Sequence, residues 1–225
     1  VSDEADYKKH GSWIHTQFGR FYFDNPEFKP EAIAWALSQQ NRYNGHTSEP
    51  YSVAEHSLMV AGIMRVFQGF GDPFEGLLHD ASEAYLRDIP APWKQFLPDS
   101  VALEKKLDKQ IRTAFNLPAD KSPGCNEADK IALFIESWFL MPDKGEGFTD
   151  ILGVRDTAMD LVHGRGPDGK KWKVMCMDWK LAKHMWMEAF KHYGPKIEVA
   201  AGDVEMQANR AEARNKAEGH AVVIA

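Results

Sequence analysis

The residues able to do chemistry in this chain sit in three short stretches. "VAEHSL" carries His56, "LLHDASEAYLRD" carries His79, Asp80, Glu83 and Asp88, and "NEADKIALFIES" carries Asp129. On a helix, positions three and four apart share a face, so His79 with Glu83, and Asp80 with Glu83, can point to one side. Two imidazoles and two carboxylates from separate segments form a donor set for one divalent cation, with positions left for water and substrate. Glu83 stands beside that set and suits proton transfer. Each residue taken alone also has a plainer role. A histidine on an apolar face is commonly a satisfied core group, Asp129 is a favourable acid in a helix's first turn, and Glu83 can be a solvated charge. Spacing alone leaves the two readings balanced.

Helical periodicity supplies the elements that must position these groups. "PEAIAWALSQQNRY" opens with Pro30 and Glu31 and repeats apolar groups at Ile33, Ala36 and Leu37. "SVAEHSLMVAGIMRVF" has Ser52 as N-cap and Glu55 three residues on, the spacing of a capping box. "FEGLLHDASEAYLRD" predicts one amphipathic helix that starts after "GDP" and stops before Pro90. Further helices are expected over "VALEKKLDKQIRTAF", "CNEADKIALFIESWFLM" and "MDWKLAKHMWMEAFKHY", and only "GRFYF" and "KWKVMCM" offer a short ribbon.

Composition narrows the class. Hydrophobic residues make up 44% and charged residues 27%, the balance of a globular domain rather than a disordered chain. The net charge of −6 argues against a broad footprint for duplex nucleic acid, while leaving room for a local basic pocket that takes a phosphate. Cys125 and Cys176 lie far apart, so no disulfide framework is expected. No apolar run reaches the roughly 18 residues of a membrane span. The stretch "VSDEADYKKH" lacks the order of a signal peptide, so the cytoplasm is the expected location. One domain is expected over 1–200, with its motif core at 42–141, followed by an Ala-rich charged helix or tail over 201–225.

The order His56, then His79–Asp80, then Asp129 resembles the signature of the HD-domain phosphohydrolases. Within that superfamily, "VAEHSLMVA", "LLHDASEAYLRDIPAPWK" and "EADKIALFIES" are similar to motifs of the 5′-deoxynucleotidases and the phage dATP triphosphohydrolases. The resemblance covers about residues 12 to 141. It implies an all-α fold, an HD-domain helical bundle with a metal site between helices. His56, His79, Asp80 and Asp129 would be the ligands, and Zn, Mn, Co, Fe, Ni or Mg are all candidate ions. Some branches of the superfamily build a two-metal centre with extra histidines after the His-Asp pair. None occurs here from Asp80 through Val162, so the core site resembles a mononuclear one.

The same resemblance implies roles around the metal. Glu83 matches a carboxylate that handles protons, Arg42 and Lys94 match phosphate-binding positions, and Asp88 matches an acid that hydrogen-bonds the deoxyribose. Tyr43 matches an aromatic near sugar and base, where it would either stack or anchor its loop. Gly45 stands where some deoxy-selective relatives carry a bulkier residue. His46 would touch phosphate, bind a further metal or make a structural hydrogen bond. "IHTQFGRFYF" resembles the phage branch, with Gly19 permitting a turn that brings Thr16 and Phe21 toward the nucleotide. The implied activity is cleavage of dATP or another dNTP to a deoxynucleoside and triphosphate. The alternative is a 5′-deoxynucleotidase acting on monophosphates, and a third reading is a non-catalytic nucleotide-binding HD domain. Expected partners are a small deoxynucleotide and further copies of the chain, in a host cytoplasm if the chain is phage-encoded; neither duplex nucleic acid nor a membrane is expected.

Overall fold

A helix with apolar groups on two opposite sides must be covered from both. The segment Val53–Val66 is of this kind, and in the computed structural model, which describes residue 7 and residues 10–195, it lies at the centre. In chain order the elements are β1 (Trp13–Thr16), β2 (Gly19–Tyr22), α1 (Pro30–Ser38), a 3₁₀ turn over Arg42–Gly45, α2 (Val53–Val66), α3 (Pro73–Leu78), α4 (Glu83–Leu86) and α5 (Ala91–Lys94). They continue with α6 (Pro98–Ala114), α7 (Pro123–Leu140), a second 3₁₀ turn over Thr149–Val154, α8 (Arg155–His163) and α9 (Trp179–Tyr193). The described residues are mostly helical, with one antiparallel ribbon pairing Trp13 with Tyr22 and Thr16 with Gly19. Among them no helix is long and apolar enough to cross a membrane.

Two hydrophobic clusters share α2. On one side Val53, Ala54 and Ala61 pack with Ile33 and Leu37 of α1, Phe74 and Leu77 of α3, and Trp186 of α9. On the other, Val60, Ile63 and Met64 pack with Ile131 and Ile135 of α7 and with Ala158 and Leu161 of α8. The start of α2 is fixed by the expected capping box: Glu55 N donates to Ser52 Oγ at 3.2 Å, and Ser52 N donates back to Glu55 Oε2 at 3.4 Å. The other Glu55 oxygen accepts from the Met177 N–H at 3.0 Å, tying the segment before α9 to the same point.

Two close approaches set the spacing around α2. A Cβ on Gly76 of α3 would lie 2.7 Å from Met64 Sδ and 3.1 Å from the Ala61 main chain, so α3 rests directly on the α2 backbone. A Cβ on Gly124 would overlap the Phe70 main chain, which puts the start of α7 against the turn that follows α2. The loop into α7 is held from inside. Arg112, 2% exposed, pairs with the buried Glu75 at 3.0 Å and donates to the Pro118 and Asp120 carbonyls.

Several expectations need correcting. The single helix predicted over "FEGLLHDASEAYLRD" is broken between α3 and α4. His79 Nδ1 takes the Gly76 carbonyl at 2.7 Å, the acceptor that the next helical turn would need. Beyond it the backbone tightens to three-residue spacing, with Ala81 N to Leu78 O and Glu83 N to Asp80 O both at 3.0 Å. α1 also ends earlier than expected, at Ser38, because Gln40 and Asn41 turn to pair with the backbone at Ser52 and Val53. The mostly helical fold agrees with the expected all-α class, and of the two short ribbons offered by the sequence "GRFY" forms β2 while "KWKVMCM" is irregular. The described residues through Gly194 form one compact unit. The expected charged helix or tail over 201–225 lies outside the described residues.

Candidate metal centre

α2, the break between α3 and α4, and α7 bring the candidate ligands together. His56 Nε2 stands 3.1 Å from His79 Nε2, 3.1 Å from Asp129 Oδ1 and 3.5 Å from Asp80 Oδ2. His79 Nε2 stands 3.0 Å from Asp80 Oδ2 and 3.8 Å from Asp129 Oδ1. Donor atoms about 2.1 Å from one ion are expected at about 3 Å from one another, so this spacing suits a shared cation. The ligand atoms of His56, His79 and Asp129 all lie within 4.8 Å of one another. Asp80 flanks them through its contacts with both histidines.

Hydrogen-bond roles carry the argument further. A backbone carbonyl only accepts, so His79 donates from Nδ1 to Gly76 O and its neutral ring leaves a lone pair on Nε2. His56 Nδ1 lies 2.6 Å from Glu136 Oε1, so its neutral ring likewise leaves a lone pair on Nε2. Two lone pairs and two carboxylates then face one another, an arrangement that repels unless something positive lies among them. Burial and the Arg42 guanidinium oppose a charged His56, but Glu136 and Asp129 outweigh them and raise its pKa to about 9. A proton can therefore fill the role of the cation. Burial pushes Asp80 and Asp129 up, yet the histidines beside them, with Lys121 for Asp129, hold both below the ordinary carboxylate range. The donor set fits a divalent ion.

A pocket of about 410 Å³ opens beside this cluster, walled by Arg42, Tyr43, Asp80, Glu83, Asp88, Lys94 and Asp129 together with apolar Ile89, Pro90, Leu133 and Phe148. Glu83 is 6% exposed, and its Oε2 has no hydrogen-bond partner. Burial, then the charges of Asp80 and Asp88, push its pKa well above the usual carboxylate value. Burial also raises Asp88. Gln40 fixes the segment that carries both acids. Its Nε2 donates to the Glu83 carbonyl at 2.9 Å, and its Oε1 accepts from the Asp88 N–H at 3.2 Å. Between these two acids Arg87 sits at φ 76, a conformation non-glycine residues seldom adopt.

Three groups absent from the sequence reading organise the site. Glu136, wholly buried on α7, binds His56 through Oε1 and accepts at Oε2 from Arg42 Nε at 3.1 Å and from the Tyr43 hydroxyl at 3.3 Å. It lies about two turns after Asp129, on the same helical face, and that spacing was its one available signal. Lys121 pairs with Asp129 Oδ2 at 2.9 Å, leaving Oδ1 turned toward His56. Gln40 is the third.

The predicted substrate residues are placed unevenly. Arg42 lines the pocket and also reaches Asp80 at 3.7 Å. Lys94 lines it too, paired with Glu104 at 2.7 Å. Tyr43 lines the pocket while its hydroxyl is anchored at Glu136. Gly45, at φ +76, lines a neighbouring polar cleft of about 300 Å³ with Asn41, Asn44, Arg87 and Asp88. His46 is exposed and outside the lining of both. Thr16 Oγ1 closes the ribbon turn by donating to the Gly19 carbonyl at 2.8 Å. Phe21 is buried and stacked on Tyr85 at 3.9 Å. Thr16 and Phe21 line a separate small recess together with Tyr85, two residues after Glu83.

The chain is similar to a protein of Escherichia coli (strain K12) named "Uncharacterized protein YfdR". The two are 40% identical over 152 residues, which take in 66% of this chain and 83% of that relative. No family model matches the chain.

Proposed function

The chain belongs to the same family as Escherichia coli YfdR, and from its own site we propose that it is a metal-dependent phosphohydrolase of the HD type, cleaving the 5′ phosphoester of deoxynucleotides. The observation that carries this reading is the convergence of His56, His79, Asp80 and Asp129 at the edge of a pocket lined by the buried Glu83, whose Oε2 has no hydrogen-bond partner. Those four residues would hold a divalent ion, which would supply Lewis acidity toward a phosphoryl oxygen and toward water.

The remaining work falls to the chain's own side chains. Water attacks the phosphorus next to the sugar, and the bond from phosphorus to the 5′ oxygen breaks. Glu83, kept protonated by its surroundings, delivers a proton to that oxygen, so a nucleoside leaves, and the proton lost by the attacking water restores the carboxyl. Arg42 presents a planar fork of donors to phosphate oxygens, held in orientation by Glu136. Lys94 adds a second charge from the far wall. Asp88 accepts from a sugar hydroxyl, and Tyr43, Leu133 and Phe148 offer an apolar wall to the base while keeping water away.

The leading substrate is dATP or another dNTP, giving the deoxynucleoside and triphosphate. Deoxynucleoside monophosphates are the second reading, favoured by one observation: both pocket cations already carry carboxylate partners, Arg42 with Glu136 and Lys94 with Glu104, which suits a smaller anionic charge. The test is turnover by metal-loaded protein on the four dNTPs, the four dNMPs and the matching ribonucleotides, with products separated by chromatography. Triphosphate released from dATP supports the first reading, and phosphate released from dNMPs alone supports the second. No turnover with any of these substrates and any candidate ion refutes the proposal.

A further inference from the structure

The carboxylate of Glu136 lies between two groups that the proposed function uses separately. One oxygen is 2.6 Å from His56 Nδ1, and the other is 3.1 Å from Arg42 Nε. The Arg42 guanidinium has a second carboxylate within reach, because its Nη1 is 3.7 Å from Asp80 Oδ2. Asp80 is a candidate ligand, and a guanidinium closed onto it would compete with a cation for the same oxygen. Glu136 is the nearer partner and is wholly buried on a helix, so its position is fixed by packing rather than chosen by the arginine.

From this geometry we infer that Glu136 is a positioning residue that keeps Arg42 from closing beyond its long 3.7 Å contact with Asp80, leaving the ligand carboxylate available to a metal ion while the guanidinium stays turned to the pocket. The inference rests on the metal-centre reading above. A glutamine at this position has the same shape but one acceptor oxygen, and its amide nitrogen must face either the His56 N–H or the Arg42 N–H. In either orientation Arg42 no longer faces a charged partner at position 136, and Asp80 is the carboxylate already within ion-pair reach of its Nη1. The guanidinium and the metal then contend for it.

The experiment is a double-mutant cycle read by Mn²⁺ affinity, with the free ion followed by electron paramagnetic resonance. The four proteins are wild type, Glu136→Gln, Arg42→Met and the double variant. Glu136→Gln is expected to bind Mn²⁺ about 10- to 100-fold more weakly, the range for losing a group that orients metal ligands. Arg42→Met alone is expected to shift affinity by less than about threefold, because Glu136 already stops the guanidinium from closing on Asp80. Added to Glu136→Gln, the same change is expected to tighten binding by about tenfold, since it removes the competitor. A merely structural role, or charge acting at a distance, gives Arg42→Met the same factor in both backgrounds. That additive outcome, with wild type binding the ion, overturns the inference alone. A wild type that binds no Mn²⁺ overturns the metal-centre reading with it. If circular dichroism shows Glu136→Gln unfolded, Glu136→Asp takes its place in the cycle, drawing the charge back by one methylene. The same non-additivity is then expected, and an additive cycle there also overturns the inference.

Discussion

Gln40→Glu isolates a single hydrogen bond at the segment that carries Glu83 and Asp88. The native amide is held in one orientation because it donates to a carbonyl, which cannot donate, and accepts from an N–H, which cannot accept. The introduced carboxylate keeps the bond from Asp88 N but sets an oxygen against the Glu83 carbonyl, 2.9 Å away in the native protein. The loss is one hydrogen bond, about 1 kcal/mol, plus about 1–2 kcal/mol for a carbonyl left without its donor and a carboxylate half out of water. A cost of about 2–3 kcal/mol in a domain of this size lowers Tm by roughly 4–12 °C. The deficit also depends on pH in a known direction. Protonation returns a donor, so the introduced group has a pKa raised in the folded state, and its contribution is present at low pH and lost as pH rises through that value. Urea unfolding of both proteins at about pH 5 and about pH 8 measures this, with the larger gap expected at the higher pH. Equal stability at the higher pH, or a gap that does not change, refutes the assignment of Gln40 as the clamp.

Asp80→Ala is expected to lose both bound metal and hydrolysis, checked by metal analysis of the purified protein; full activity without metal sinks the site. Glu83→Gln should retain metal and nucleotide binding while turnover falls by about 10²–10⁴, and near-normal turnover would assign the proton to another group. In the metal-free protein, His56 has its pKa raised from 6.5 to about 9, so the stability of its ion pairs is fully present below 6.5 and lost as pH rises through 9. The ion must displace that proton, so apparent metal affinity should climb with pH and level off above about 9, a trend that titrations at successive pH values test directly. Arg112→Met strands the buried Glu75 and should cost about 3–5 kcal/mol, with part of the loss recovered by adding Glu75→Gln; denaturant midpoints of the single and double variants decide it.

What the sequence disclosed depends on how far each feature reaches. α2 was legible because its cap and its apolar rhythm are both local, within a few residues of His56. The candidate ligands were legible because a polar pair inside an apolar helix is conspicuous. The break between α3 and α4 was hidden, since His79, Asp80, Ala81 and Ser82 are all acceptable in a helix and the interruption arises where a side chain takes a backbone carbonyl. Glu136 was hidden for the opposite reason. A lone glutamate among Ile135, Ser137 and Trp138 looks like a solvent-facing position, and its two cationic partners come from segments distant in the chain. Gln40 belongs to a polar run that reads as a plain loop, while its bonds reach the backbone of residues far ahead of it. α8 went unnoticed because it is short and mostly polar.

The close approach at Gly76 sets who may vary and who may not. Gly76 lets α3, which leads into His79, rest on the helix that carries His56, with the Met64 thioether and the Ala61 main chain at the point of contact. Neighbours such as Val60 and Leu77 can exchange volume with the residues around them without prising the two histidines apart. Over evolutionary time that arrangement insulates the centre from drift in the surrounding core. Descendants of this chain can accumulate many apolar substitutions and keep the same constellation, while a single methyl group at position 76 would open it.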